Sequence, residues 1–130
     1  MVKRQTISAG EYHSLVVDRE GQIWSFGNNF YGQLGDWTVS NRASPVQVWG
    51  LTGVIAISAG PGAISLALTD DGMVWAWGWN SYGQLGDGST SIRKTVDLVQ
   101  NLGDVTAIAC GWNHNLALTS GGTVWVWGDN

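Results

Sequence analysis

Two histidines, one cysteine and a few carboxylates are the side chains of this 130-residue chain that could do chemistry, and their placement argues against most of it. His13 and His114 each close a Gly-x-x-His run. A zinc site needs three or four converging ligands. Two histidines and a distant cysteine do not supply them, so no metal is expected. Cys110 stands where parallel stretches of the chain have Ala9 and Ala59, which marks a small packing position. A nucleophilic thiol would need a neighbouring base and partial exposure. Glu20, Asp36, Asp71 and Asp87 lie beside glycines at turns, where carboxylates satisfy backbone N–H groups. Two carboxylates are enough for glycoside hydrolysis, but recurrence in register points to turn chemistry. No G-x-S-x-G, H-E-x-x-H, phosphate-cradling glycine loop or dinucleotide fingerprint is present. The chain is therefore expected to be no enzyme and to use no cofactor.

Composition narrows the classes further. Six Lys+Arg against ten Asp+Glu give a net charge of −4, the wrong sign for a phosphate-neutralising surface, so no nucleic acid is expected. Charged residues are only 12% and hydrophobic ones 44%, the reverse of a disordered chain. One cysteine excludes an internal disulfide. No apolar run approaches 18 residues, and MVKRQTISAG has no apolar h-region. No membrane span and no signal peptide are expected.

The elements that position these residues come from a repeat. Residues 7–35 read ISAGEYHSLVVDREGQIWSFGNNFYGQLG, and residues 57–86 read ISAGPGAISLALTDDGMVWAWGWNSYGQLG. Residues 108–130 read IACGWNHNLALTSGGTVWVWGDN. Gly10, Gly60 and Gly111 are 50 and 51 positions apart, and copy two carries one extra residue between Gly60 and Ser65. A period near 50 suits solenoids and propeller blades. Short segments rich in Val, Ile and Trp, separated by Gly, Asp and Asn, are strand and turn chemistry. The pattern predicts a first strand at 54–59 and 105–110, and at 4–7 in the first copy. A second is predicted at 15–17, 66–68 and 116–118, a third at 23–26, 74–77 and 124–127, and a weaker fourth at 46–48 and 96–99. Trp75 and Trp77 point to one side of their strand, with Val74 and Ala76 on the other. Both faces are apolar, so the sheet must be covered on both sides. Sheets stacked around an axis meet that need. The fold class is all-β: a partial β-propeller of about 50-residue blades of antiparallel four-stranded sheet. The domain organisation is a single partial propeller over 1–130, with an incomplete repeat at 1–27, a repeat at 28–78 and a repeat at 79–130 ending after its third strand.

The runs AGEYHSLVV, DDGMVWAWG and NSYGQLGDG resemble the repeat of the regulator of chromosome condensation family. The resemblance covers nearly the whole chain. It implies seven-bladed propellers that serve mostly as binding platforms, among them a nucleotide exchange factor for a small GTPase, a plant ultraviolet-B photoreceptor and a bacterial β-lactamase inhibitor. It also implies that His13 and His114 are structural and bonded to neighbouring backbone. GWNHN at 111–115 is similar to the GWRHT motif of the photoreceptor, which would make Trp112 the light-sensing position. Asn113 replaces the arginine of that motif, however, and the other two copies lack the tryptophan.

Residues that recur in register are scaffold; those that break it are candidates for function. Trp24, Trp75, Trp77, Trp125 and Trp127 recur, with Phe26 in the sixth place, and form the expected repeat core. Trp75 heads that group as the side chain whose loss should cost most. Trp37, Trp49, Trp79 and Trp112 do not recur. With Tyr12 and Asn113 of the Gly-x-x-His loops they are the candidate partner-binding residues, because exposed loop aromatics on a rigid scaffold are the usual interface anchors.

Three blade cores leave an apolar sheet face at each end. Two or three buried aromatics are worth on the order of 10 kcal/mol per face, against a domain stability of about 5–15 kcal/mol. Self-association into a closed ring is expected, with a homodimer of six blades favoured over a larger ring of more chains; the alternative is that the chain is an excised piece of a longer propeller. The expected role is a non-catalytic scaffold for protein–protein interaction. The alternatives are carbohydrate or small-ligand binding through the non-repeating tryptophans, and ultraviolet-B sensing through Trp112.

Overall fold

The computed structural model describes residues 5–129, which form eleven strands and, among these residues, no helix. β1 (Ile7–Ala9), β2 (His13–Val17), β3 (Ile23–Gly27) and β4 (Arg42–Val48) make one sheet in sequence order. β5 (Val54–Ala59), β6 (Ile64–Thr69), β7 (Val74–Gly78) and β8 (Arg93–Leu98) make a second. β9 (Val105–Cys110), β10 (His114–Thr119) and β11 (Val124–Gly128) make a third, of three strands. Neighbouring strands are antiparallel throughout. The register repeats as well: His13 faces Gly27, Ile64 faces Gly78 and His114 faces Gly128. Ile64 thus takes the histidine's place in copy two, and the extra residue is absorbed at Ala63, which has φ +60°.

The boundaries differ from the sequence expectation where apolar alternation stops being the signal. The fourth strands begin at Arg42 and Arg93, several residues early. They start there because each arginine pairs with the glycine ending the third strand and bonds an aspartate of the intervening loop. β1 begins at Ile7 rather than at residue 4, which lies outside the described residues; Gln5 makes only an isolated parallel bridge to Ala56. The repeat boundaries at 27/28 and 78/79 fall between the third and fourth strands. Each sheet therefore takes its fourth strand from the repeat that follows.

Covering both faces is the organising force. Leu15, Val17, Ile23 and Val48 of the first sheet pack against Ile57, Ala67 and Trp77 of the second. The opposite face of the second sheet, Ile64, Leu66, Leu68, Val74 and Ala76, packs against Val105 and Ala117 of the third. β6 lies between two sheets and is buried along its whole length. The third sheet is covered on one side only: Leu116, Leu118, Val124 and Val126 are 38%, 41%, 63% and 55% exposed.

The recurring tryptophans divide accordingly. Trp77 is fully buried and its Nε1 donates to the Gln33 carbonyl at 2.8 Å. Trp127 makes the same bond to the Gln84 carbonyl at 2.9 Å but is only partly buried. Trp24 and Trp75 are half-buried, because each closes over the turn at its own sheet's end, donating to Asp18 Oδ2 at 2.8 Å and to Thr69 Oγ1 at 3.2 Å. Trp125 is exposed. Trp77, not Trp75, is thus the tryptophan wedged between sheets.

Candidate functional site

The loops after β3 and β7 are built by residues that recur in register but carry no chemical signature of their own. Buried Asn29 accepts from Leu34 N through Oδ1 and donates through Nδ2 to Asp36 and to the Thr38 carbonyl. Asn80 does the same with Leu85, Asp87 and the Ser89 carbonyl. Asp36 and Asp87 accept from the backbone N–H of Thr38 and Ser89 and from the Nε of Arg42 and Arg93. Burial pushes both carboxyls up, but these hydrogen bonds outweigh it and hold them below the usual aspartate range. Asp71 accepts from Thr69 Oγ1 at 2.6 Å and from Met73 N. In the first copy this task falls to Asp18, which takes the Trp24 indole and the N–H groups of Glu20 and Gln22, rather than to Glu20 itself. Each of these carboxylates is occupied in holding a turn.

The loops make one end of the stack aromatic. Each loop between the first and second strands is tied to the loop after the third strand of its own sheet, by Asn28 N to the Tyr12 carbonyl, Trp79 N to the Ala63 carbonyl and Asp129 N to the Asn113 carbonyl. Tyr12, Phe30, Trp37, Trp79, Tyr82 and Trp112 therefore share a face. Trp79 is half-buried in a row of rings running Phe30, Tyr31, Trp79, Tyr82, with centroids 5.0, 5.6 and 5.6 Å apart. The other five are exposed. Asn113 is half-buried beside Trp112. Trp49, between β4 and β5, is exposed at the opposite end of the sheets. Trp37 is 68% exposed and sits at φ +72°, where copy two has Gly88 at φ +80°. A bulky side chain in the left-handed region is held at a conformational cost.

The junctions between sheets carry the histidine and the cysteine. The Gln33 carbonyl accepts from Ser65 Oγ at 2.7 Å and from Trp77; the Gln84 carbonyl accepts from Asn115 Nδ2 and Trp127. Ser65 has spent its proton on Gln33, so the 2.9 Å contact to His13 is a bond from His13 Nε2–H to the serine oxygen. His13 thus bonds a side chain of the next sheet, with the backbone of Ile64 of that same sheet also beside its ring. Burial lowers the His13 pKa to about 4, with the Ile64 backbone pulling the other way. His114, its counterpart, is exposed. The Cys110 thiol donates to the Ser58 carbonyl at 3.3 Å, and burial pushes it up to about 12, which disfavours the thiolate. No group of three metal-ligating side chains exists among the described residues. The same holds for a helix long and apolar enough to cross a membrane.

Asn29, Asn80, Gln33 and Gln84, which shape and join the loops, did not stand out as site residues in the sequence. Their signal was the recurrence of Asn-x-x-Gly-Gln-Leu-Gly-Asp itself.

Comparison with known proteins places this architecture. A model described as the regulator of chromosome condensation (RCC1) repeat matches residues 20–66 and 71–118, and a second model of that repeat matches 5–33 and 54–84. The human E3 ubiquitin-protein ligase HERC2 is 39% identical over 110 residues, 81% of this chain and 2% of that protein. The ultraviolet-B receptor UVR8 of Arabidopsis thaliana is 32% identical over 118 residues, 88% of this chain and 27% of the receptor. Human protein RCC2 is 36% identical over 115 residues, 85% of this chain and 22% of RCC2. The crystal structure of human WBSCR16 superposes with a TM-score of 0.84 at 30% identity, over 96% of this chain and 33% of its own. Prp20p of Saccharomyces cerevisiae shares the fold with a TM-score of 0.78 at 22% identity, over 97% of this chain and 33% of its own. The chain spans a third or less of the length of each of these proteins.

Proposed function

The chain belongs to the regulator of chromosome condensation repeat family, and on that premise we propose that it is a non-catalytic propeller-repeat scaffold that assembles with copies of itself into a closed ring and presents its loop face to protein partners. The observation that carries the assembly is the third sheet. Its outward residues Leu116, Leu118, Val124 and Val126 are the counterparts of Leu66, Leu68, Val74 and Ala76, all fully buried in the second sheet, yet they stand 38–63% exposed. Apolar sheet faces of this kind are interaction surfaces. Two copies stacked end to end supply six blades around an axis.

The loop face supports the second half of the reading. It gathers five exposed aromatics within one end of a rigid stack, and aromatic side chains dominate interface energetics. The non-catalytic reading rests on the state of the ionisable groups: the turn carboxylates are committed to backbone and arginine partners, and burial disfavours the thiolate. The test is mass in solution. Light scattering at micromolar concentration is expected to return a multiple of the chain mass, and a stable monomer would remove the ring. For the loop face, Trp37→Gly and Trp112→Ala are expected to weaken capture of cellular proteins by the immobilised assembly, while Trp49→Ala at the other end leaves it unchanged.

A further inference from the structure

We propose that the bare face of the third sheet docks on the outward face of the first sheet of a second copy, head to tail, with His114 of one copy hydrogen-bonded to Ser14 of the next. This rests on the self-assembly reading and specifies its seam. Two junctions inside the chain show what such a seam looks like. At the first, His13 donates to Ser65, the residue of the next sheet that follows its first-to-second strand loop. Ser14 occupies the position of Ser65 in the first sheet, as the register shows: Ser65 pairs with Trp77, and Ser14 with Phe26. His114 occupies the position of His13 in the third sheet, each facing the glycine that ends its third strand. The outward faces of the third and first sheets therefore carry the two halves of one such bond, a donor on one and its acceptor on the other.

The rest of the two faces agrees. Ile57, Ala67 and Trp77 are the second-sheet residues buried against the first sheet. Their counterparts on the first sheet are Ile7, Val16 and Phe26, apolar and only partly covered, with Ile7 exposed. Phe26 is informative. Trp77 and Trp127 donate to a glutamine carbonyl of the preceding sheet's loop. Phe26 has no N–H to donate and so asks for no such carbonyl. Close approach is also conserved. A Cβ on Gly10 would meet the Gly60 carbonyl oxygen at 2.6 Å, and one on Gly60 would meet Cys110 Cβ at 2.7 Å. Gly111 is the third member of this column, and a Cβ there would first meet the ring of its own His114, with Nδ1 and Nε2 at 2.9 Å.

One bond of the internal junctions has no counterpart. Ser8 Oγ accepts from Ala59 N at 2.9 Å, and Ser58 Oγ accepts from Cys110 N at 3.1 Å. The third residue of this series is Ala109, which lines the shallow apolar surface of the third sheet with Ala107, Leu116, Leu118 and Val124. A serine there would supply the acceptor for Ala9 N of the second copy.

Sedimentation equilibrium of the whole chain tests the seam. His114→Ala and Ser14→Ala are each expected to weaken self-association about two- to tenfold, the range of one net hydrogen bond. The double variant should be little weaker than either single one, because both remove the same bond. Ala109→Ser is expected to tighten association by a similar factor, a gain that misfolding cannot mimic. A wild-type chain that stays monomeric at tens of micromolar overturns the self-assembly reading and the seam together. Association that proceeds with additive effects of His114→Ala and Ser14→Ala, or that Ala109→Ser leaves unchanged or weakens, overturns the seam alone and points to another pairing of faces.

Discussion

β6–β7 and β10–β11 are the same hairpin in two environments. They share register, turn and glycine hook, yet Leu68 and Val74 are fully buried while Leu118 and Val124 are 41% and 63% exposed. What differs is not the hairpin but whether a sheet lies against its second face. Strand formation is thus set locally by the repeat, while burial is set by the neighbour. Apolar area converts into stability only when something covers it.

The sharpest way to break this comparison is at the matched tryptophans. Trp77→Ala should cost about 3–5 kcal/mol in a denaturant titration, the range for a large-to-small change in a packed core. Trp127→Ala, which removes an equivalent indole bond from a half-covered ring, should cost clearly less. Equal costs would mean that the second junction is as closed as the first. Next comes the leucine pair. Leu68→Ala should cost about 2–5 kcal/mol. Leu118→Ala should cost under about 1 kcal/mol in dilute solution, and more at concentrations where copies associate. A Leu118 effect that is large and independent of concentration would show that this face is already covered within one chain.

The histidines sharpen the comparison through pH. His13 has a folded pKa of about 4, below its ordinary value of 6.5. The unfolded chain therefore binds the proton first. The stability contributed by neutral His13 is present above pH 6.5 and is lost as pH falls towards 4, by on the order of 3 kcal/mol. Stability measured across that window should fall steeply in the native chain, and His13→Asn should flatten the profile. A profile already flat in the native chain would place His13 in contact with water. The smallest effect is expected at Trp37. Trp37→Gly relieves a side chain at φ +72° and should stabilise by up to about 1 kcal/mol. A loss instead would show that this exposed ring packs on the scaffold.

Much of the fold was legible because the repeat is close to perfect. The first strands at 54–59 and 105–110 and the all-β stack follow from apolar alternation and a period near 50. The fourth strands were only half visible, since Arg42-Ala-Ser-Pro and Arg93-Lys-Thr show no alternation and are held by ion pairs to Asp36 and Asp87. Treating recurrence as scaffold found the tryptophan series but could not rank it. Trp75 and Trp77 look alike in sequence, yet one closes over a turn and the other inserts between sheets. The same rule passed over Asn29 and Gln33, whose roles lie in loop hydrogen bonds that no hydrophobic pattern reports.

The sequence by itself determined the unit: strand, turn, strand, with two apolar faces and a glycine at each tight place, because these depend on residues within a few positions of one another. Only the tertiary structure decided which faces are covered, which tryptophan is wedged and which histidine is dry. Those outcomes depend on sheets about fifty residues apart coming into contact, and a contact is a property of the pair, not of either stretch of chain.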